Sequence, residues 1–262
     1  MAEEVLVIAE DRGRVRSLTL NRPKQLNAFN NDLYDAFENA LRNAAEDSHV
    51  SVVIVTGAGR AFSAGQDLGE LGNRPEYEDD TPHGFQPFMD TLQTFPKPLI
   101  AAVNGMGVGI GLTMLLHCDQ VFIAKDARLR APFVSLGVTA EAASTYLLPK
   151  TIGWAATAKL LYTASWISGE EAAEMGLASF CVEGGELMNV ANALADEIAA
   201  MPVTSLVVTK KLLLAARLVG INEARRSENE AFAGLEGGPA NREAIAAFIE
   251  KRPADFSKIV HE

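Results

Sequence analysis

Cysteine is scarce in this 262-residue chain: Cys118 and Cys181 are the only two. Two thiols so far apart build neither a disulfide framework nor a CxxC metal knuckle, so a reducing compartment is the expected setting. Histidine is nearly as sparse. His49, His83, His117 and His261 are scattered and none belongs to an HExxH pattern, which leaves metal chemistry unsupported. Positive charge is also short. Lys and Arg number 23 against 34 Asp and Glu, a formal net charge of −11 and a pI near 4.9. Non-specific binding to nucleic acid or to an anionic membrane needs a positive field, so neither is expected. No uncharged apolar run is long enough to span a bilayer, because glycines break the longest one at 105–111. The first residues lack a signal pattern and the last four carry no lipidation or peroxisomal tag, so the expected location is cytoplasmic.

Several nucleotide and nucleophile motifs are missing as well. There is no GxxxxGK[ST] and no GxSxG elbow, and the run from Gly105 to Gly111 fits GxGxxG in no register. What remains is ordinary globular composition, 48% apolar and 22% charged, in a chain long enough for a full core.

The pattern along the chain predicts an α/β protein. Strands are expected at 5–9 and 15–20 as a hairpin, with helix over 31–45 and a buried strand at 51–56. A polar stretch to about residue 84 carries Pro75, Glu76, Glu78, Asp79, Asp80 and Pro82 and suggests a mobile loop. Helix near 85–94, strands at 99–103 and 121–124, and a helix at 112–116 follow. The unit strand, glycine turn, helix occurs twice, at 51–70 and 99–117, which argues for parallel pairing. Beyond about residue 140 the pattern turns helical, over 153–162, 169–175, 186–200, 203–219, 221–235 and 240–250. A coarse boundary falls near residue 200.

Both glycine turns follow a buried strand and lead into a helix. Such a turn can aim free backbone N–H groups, backed by the positive end of a helix, at one point. Two fixed donors aimed at a carbonyl oxygen that gains negative charge make an oxyanion hole. The plainer reading is that the glycines only permit tight turns.

Three segments in order sharpen this: Asn21-Arg22-Pro23-Lys24-Gln25-Leu26-Asn27-Ala28, then Ala61-Phe62-Ser63-Ala64-Gly65-Gln66-Asp67-Leu68, then Ile100 through Gly105 to Cys118-Asp119. With Ile167-Ser168-Gly169-Glu170-Glu171-Ala172 and the run from Ala246 to Arg252, they resemble the crotonase family, also called the enoyl-CoA hydratase/isomerase superfamily. The resemblance covers essentially the whole chain. It implies a crotonase-like spiral of ββα repeats over residues 1–200 and a helical C-terminal trimerisation region over 201–262. It further implies an acyl-CoA substrate, a homotrimer or dimer of trimers, and no separate cofactor, since coenzyme A is part of the substrate.

The same resemblance assigns the oxyanion donors to the backbone N–H groups of Gln66 and Ile110, where most relatives have glycine or alanine at the second. It places Lys24, Leu26, Ala28, Ala64, Gly65, Asp67 and Leu68 along the coenzyme A path. Arg22, Lys24, Lys251, Arg252 and Lys258 are candidate cations for its phosphates. The two glutamates of the family's hydratases fall here on Thr113 and Phe133, so the usual water-activating pair is absent. Gly137 to Glu141 resembles the segment of the Δ3,Δ2-enoyl-CoA isomerases that carries a single catalytic carboxylate, which makes Glu141 the candidate acid/base. A lone carboxylate suits a 1,3-proton shift, since one group serves as base and then as acid. An apolar wall with Phe133 and Leu136 would raise its pKa. A structural role for Glu141 stays open: with Thr139 as cap, a helix over 140–148 would hold the acid in its first turn. His117 and Cys118 are expected as packed core residues, Asp67 as a turn or capping residue, and Tyr146 and Trp154 as packing residues. Other activities on the same fold, an epoxide-ring isomerase or a weak hydratase, and a non-catalytic acyl-CoA binder are the rival readings.

Overall fold

A computed structural model describes residues 5–67, 69 and 81–259. The hairpin forms as β1 (Val7–Arg12) against β2 (Val15–Leu20), antiparallel, with Val7 opposite Leu20. Its turn is tighter than the sequence suggests. Asp11 stays in the ladder directly opposite Arg16, which holds it at 2.7 Å. Helix α1 (Asn31–Glu46) starts where the Asn30 side chain accepts from the Leu33 N–H. It buries Leu33, Tyr34, Phe37, Leu41 and Ala44 at helical spacing. Each large apolar side chain of that stripe contributes about 2 kcal/mol.

The remaining chain alternates between two sheets. β3 (Val52–Gly57), β5 (Leu99–Val103) and β7 (Gln120–Ala124) run parallel in one, while β4 (Ala61–Ser63), β6 (Met106–Val108) and β8 (Arg128–Arg130) run parallel in the other. Each turn of the spiral thus gives one strand to each sheet. Helix α2 (Phe85–Gln93) follows β4, and the single-turn helix α3 (Ile110–Thr113) follows β6. After β8 come α4 (Ser144–Ile152), α5 (Trp154–Thr163), β9 (Ile167–Ser168), α6 (Gly169–Glu174) and β10 (Phe180–Val182). The sheet orders are β1-β2-β3-β5-β7-β10 and β4-β6-β8-β9. The short strands of the second sheet escape sequence reading because two or three residues carry no periodicity.

Helices α7 (Leu187–Ala199), α8 (Val203–Leu235) and α9 (Pro239–Ile249) complete the chain. The two helices expected on either side of Gly220 are one continuous helix. Gly220 is there for close approach, since a Cβ would run into the Tyr146 ring. The C-terminal helices also contribute to the core. Ile221, Ala244 and Ala247 are buried, and the buried Lys210 ammonium bonds Asp119 at 2.7 Å and the Lys97 carbonyl at 2.7 Å. Among the described residues no single helix is long and apolar enough to cross a membrane.

Candidate active site

The first turn is built by a buried asparagine. Asn27, at φ 55, donates through Nδ2 to the carbonyls of Ala58 and Ala61, and its Oδ1 accepts from the Arg22 N–H. The Asn27 carbonyl accepts from the Ser63 hydroxyl, whose oxygen accepts from the Gly65 N–H. Segment 26–29 thereby runs beside 64–67, with Ala64 N–H bonded to the Leu26 carbonyl and Phe29 N–H to the Gly65 carbonyl. Gly65 sits at φ 91, and a Cβ there would lie 2.6 Å from the Val108 carbonyl oxygen. Only glycine lets the two turns touch.

That contact brings the two candidate donors to one edge of the small sheet, where β4 pairs β6 with Ser63 opposite Gly107. Gln66 follows β4. Ile110 opens α3, with Gly109 before it at φ 54. Among the described residues neither the Gln66 nor the Ile110 N–H has an acceptor. Asp67 is committed otherwise: it pairs with Arg22 at 3.0 Å and accepts from the Gly69 N–H.

Glu141 lies outside any helix. The helix expected over 140–148 begins only at Ser144, and Thr139 does not cap it. Ala142 and Ala143 are instead both left-handed, at φ 59 and 58, a conformation costing roughly 1–2 kcal/mol per non-glycine residue. The turn is held from two sides. His117 Nε2 lies 2.8 Å from the Ala142 carbonyl, and Glu228 of α8 accepts from the Ala143 N–H at 2.7 Å and from the Thr145 N–H and hydroxyl. Since a carbonyl only accepts, His117 carries its proton on Nε2. Burial lowers its pKa to about 4, so it is neutral there.

Burial is also the main reason that the Glu141 carboxyl is pushed up to about 8, and the negative Glu228 adds to it. Tyr34 feels the Glu141 charge in turn. Its phenol, raised well above 10 by burial first and then by that charge, donates to the Gln66 side-chain oxygen at 3.0 Å. The ring is fixed by stacking on Phe29 (4.7 Å between centroids) and by Phe85 and Phe88. Gln66 is thus bonded to Tyr34, the Glu141 charge acts on Tyr34, and the Glu141 turn is bonded through His117 to the segment that Ile110 opens. Sequence reading missed Tyr34 and Glu228, which no short motif marks, and it quoted Asn27 within a motif without seeing its role in building the turn.

At the hydratase positions, the Thr113 hydroxyl donates to the Gly109 carbonyl at 3.3 Å, and Phe133 is buried. The segments flanking Glu141 border a cavity of about 210 Å³, whose walls include Phe133, Val134, Ala140, Trp154 and Tyr162. Trp154 lines it while 74% exposed, so it does not pack within this chain as expected, whereas Tyr146 does pack, against Gly220. Of the expected coenzyme A residues, Ala28 and Gly65 are buried, Leu26 and Ala64 half-buried, and Leu68 lies outside the described residues. Among the cations, Arg22 also bonds the Ala28 carbonyl at 2.5 Å, and Arg252 pairs with Glu243 and Glu250. Lys24, Lys251 and Lys258 are exposed. Among the described residues no group of three or more His, Cys, Asp or Glu could hold a metal ion.

Comparison with known proteins agrees with this architecture. Residues 10–259 match the family model described as enoyl-CoA hydratase/isomerase. The chain is 35% identical to the short-chain-enoyl-CoA hydratase of Clostridium acetobutylicum, over 96% of this chain and 97% of that one. It is 32% identical to the 1,2-epoxyphenylacetyl-CoA isomerase of Escherichia coli, covering 93% and 95%. The crystal structure of an enoyl-CoA hydratase/isomerase from Pseudoalteromonas atlantica superposes with a TM-score of 0.91, at 34% identity over 96% of this chain and 99% of that one. With its spiral of paired strands, its facing glycine turns and matches along nearly its full length, this chain belongs to the enoyl-CoA hydratase/isomerase family.

Proposed function

We propose that the protein moves the double bond of a 3-enoyl-CoA thioester into conjugation, giving the 2-enoyl-CoA. The observation that carries this reading is Glu141. Its side chain has no hydrogen-bond donor among the described residues, its pKa is raised to about 8, and its charge acts on the Tyr34 phenol that bonds Gln66. Thr113 and Phe133 supply no carboxylate to help it activate water.

In the ionised form Glu141 removes a proton from C2. The electrons move onto the thioester oxygen, and the resulting dienolate is held by the Gln66 and Ile110 N–H groups. Each donor contributes about 3 kcal/mol. The protonated Glu141 then returns its proton at C4, and the double bond comes to rest between C2 and C3. No second acid is needed, and a carboxyl with a pKa near the working pH serves both halves. Lys24, Lys251 and Lys258 are exposed and unpaired among the described residues, and so can meet the phosphates of coenzyme A, whereas Arg22 and Arg252 are already paired. Exposed Leu212, Leu213 and Val219 on α8 support assembly of copies, as a trimer or a dimer of trimers.

A hydratase is the second reading, favoured by the relative from Clostridium acetobutylicum. Purified protein assayed with 3-enoyl-CoA and 2-enoyl-CoA separates the two. Double-bond migration that Glu141→Gln abolishes supports the proposal. Hydration of 2-enoyl-CoA without migration refutes it, and binding of both thioesters without turnover would make the protein a binder.

A further inference from the structure

Glu228 is a buried carboxylate that the proposed reaction does not use. It is 4% exposed, sits on α8, and reaches across to a segment more than eighty residues earlier in the chain. Both of its oxygens accept: one from the Ala143 N–H, the other from the Thr145 N–H at 2.9 Å and the Thr145 hydroxyl at 2.6 Å. Three donors and no acceptor describe an ionised carboxylate. Capping α4 for stability alone would call for a local Ser or Asp. A buried charge placed next to a second carboxyl is an unfavourable way to do it.

We propose that Glu228 is a positioning residue for Glu141, acting through the left-handed turn at Ala142–Ala143. Two successive left-handed alanines persist only where their surroundings over-determine them. Here the surroundings are the Glu228 bonds on one side and the His117 bond on the other. The turn fixes the backbone that follows Glu141 and keeps the residue out of the helix that starts at Ser144. The role rests on Glu141 being the acid/base of the reaction above.

The charge of Glu228 gives the proposal a signature that a structural brace lacks. Its charge acts on Glu141; burial raises its own pKa, and the bonds from Thr145 and Ala143 and the charge of Arg225, one turn back on α8, counter that and hold the ionised form. Tyr34 from α1 and the neutral His117 are the other titratable groups around the turn, and Arg217 and Lys210 lie near His117. Removing the Glu228 charge favours the ionised form of Glu141, so the acid limb of the rate profile moves to lower pH.

The test compares wild type with Glu141→Gln, Glu228→Gln and Thr145→Val by kcat, KM and pH profile on 3-enoyl-CoA. The carboxyl 13C resonance of Glu141, identified by its loss in Glu141→Gln, gives a titration independent of turnover. Glutamine at 228 keeps the length but turns an NH2 toward a backbone donor. The expected result is a kcat ~10- to 100-fold lower with KM within about twofold, the scale of a small misplacement of a reacting group. The Glu141 titration moves acidward by about one unit. Folded Glu228→Gln with wild-type kcat, profile and titration overturns the proposal. Should that variant not fold, Thr145→Val decides, since it removes one of the three bonds at a surface position: a severalfold lower kcat at unchanged KM supports positioning, and wild-type kcat overturns it. Turnover that survives in Glu141→Gln refutes the reaction instead, and the Glu141 titration in Glu228→Gln still decides the coupling.

Discussion

Replacing Glu141 by glutamine should make the protein more stable at alkaline pH while abolishing its turnover. The carboxyl titrates at about 8 in the folded protein against an ordinary 4.5. Between those values the folded state holds a proton that the unfolded state has released. Its stabilising effect is fully present below the unfolded pKa and is lost as pH rises through the folded one. At about 1.4 kcal/mol per unit the full displacement corresponds to roughly 5 kcal/mol. Glu141 is half-buried, so solvent reaches it and the realistic loss is about 2–3 kcal/mol. Glutamine, neutral throughout, escapes it. Urea unfolding of both proteins at about pH 6 and about pH 9 reads the effect. Near pH 6 about two-fifths of the loss is already present, so the variant should lead by about 1 kcal/mol. Near pH 9 the variant should lead by about 2–3 kcal/mol, roughly 5–10 °C in Tm for a chain of this size. An identical difference at both pH values would mean that Glu141 is ionised like a surface carboxylate, and the argument for it as a poised acid/base would fail.

Gly65→Ala places a Cβ 2.6 Å from the Val108 carbonyl oxygen at a φ of 91. The turns must part, and kcat should fall about 100-fold or more in a protein whose circular dichroism is unchanged; a loss under tenfold would detach Gly65 from the oxyanion geometry. Asn27→Ala removes the three hydrogen bonds of a buried side chain and leaves the Ala58 and Ala61 carbonyls without that donor. A loss of about 3 kcal/mol or more by denaturant unfolding is expected, and a loss under about 1 kcal/mol would show that the first turn is held by other means.

Much of the architecture was legible because it depends on local pattern. The run Val52-Val53-Ile54-Val55 is buried throughout, as β-branched residues in a parallel sheet usually are. Ser168 and Glu171 form a reciprocal capping box that starts α6 where the sequence puts it. Other expectations yielded to long-range contacts. The helix over 140–148 failed because Glu228 and His117, both distant in sequence, hold Ala142 and Ala143 out of helical conformation. Gly220 looked like a break and proved to be a contact, since its meaning lies in the Tyr146 ring across from it.

By itself the sequence determined the two strand–turn–helix units, because periodicity and glycine act over a few residues, while the candidate donors Gln66 and Ile110 came from the resemblance of short segments to a family. It also pointed to Glu141 through its neighbours. Only the tertiary structure set the surroundings of that acid. Its shifted titration, its strained turn and its link to Tyr34 come from groups on α1, α8 and the end of the α3 segment. A pKa is a sum over neighbours in space, and folding chooses those neighbours.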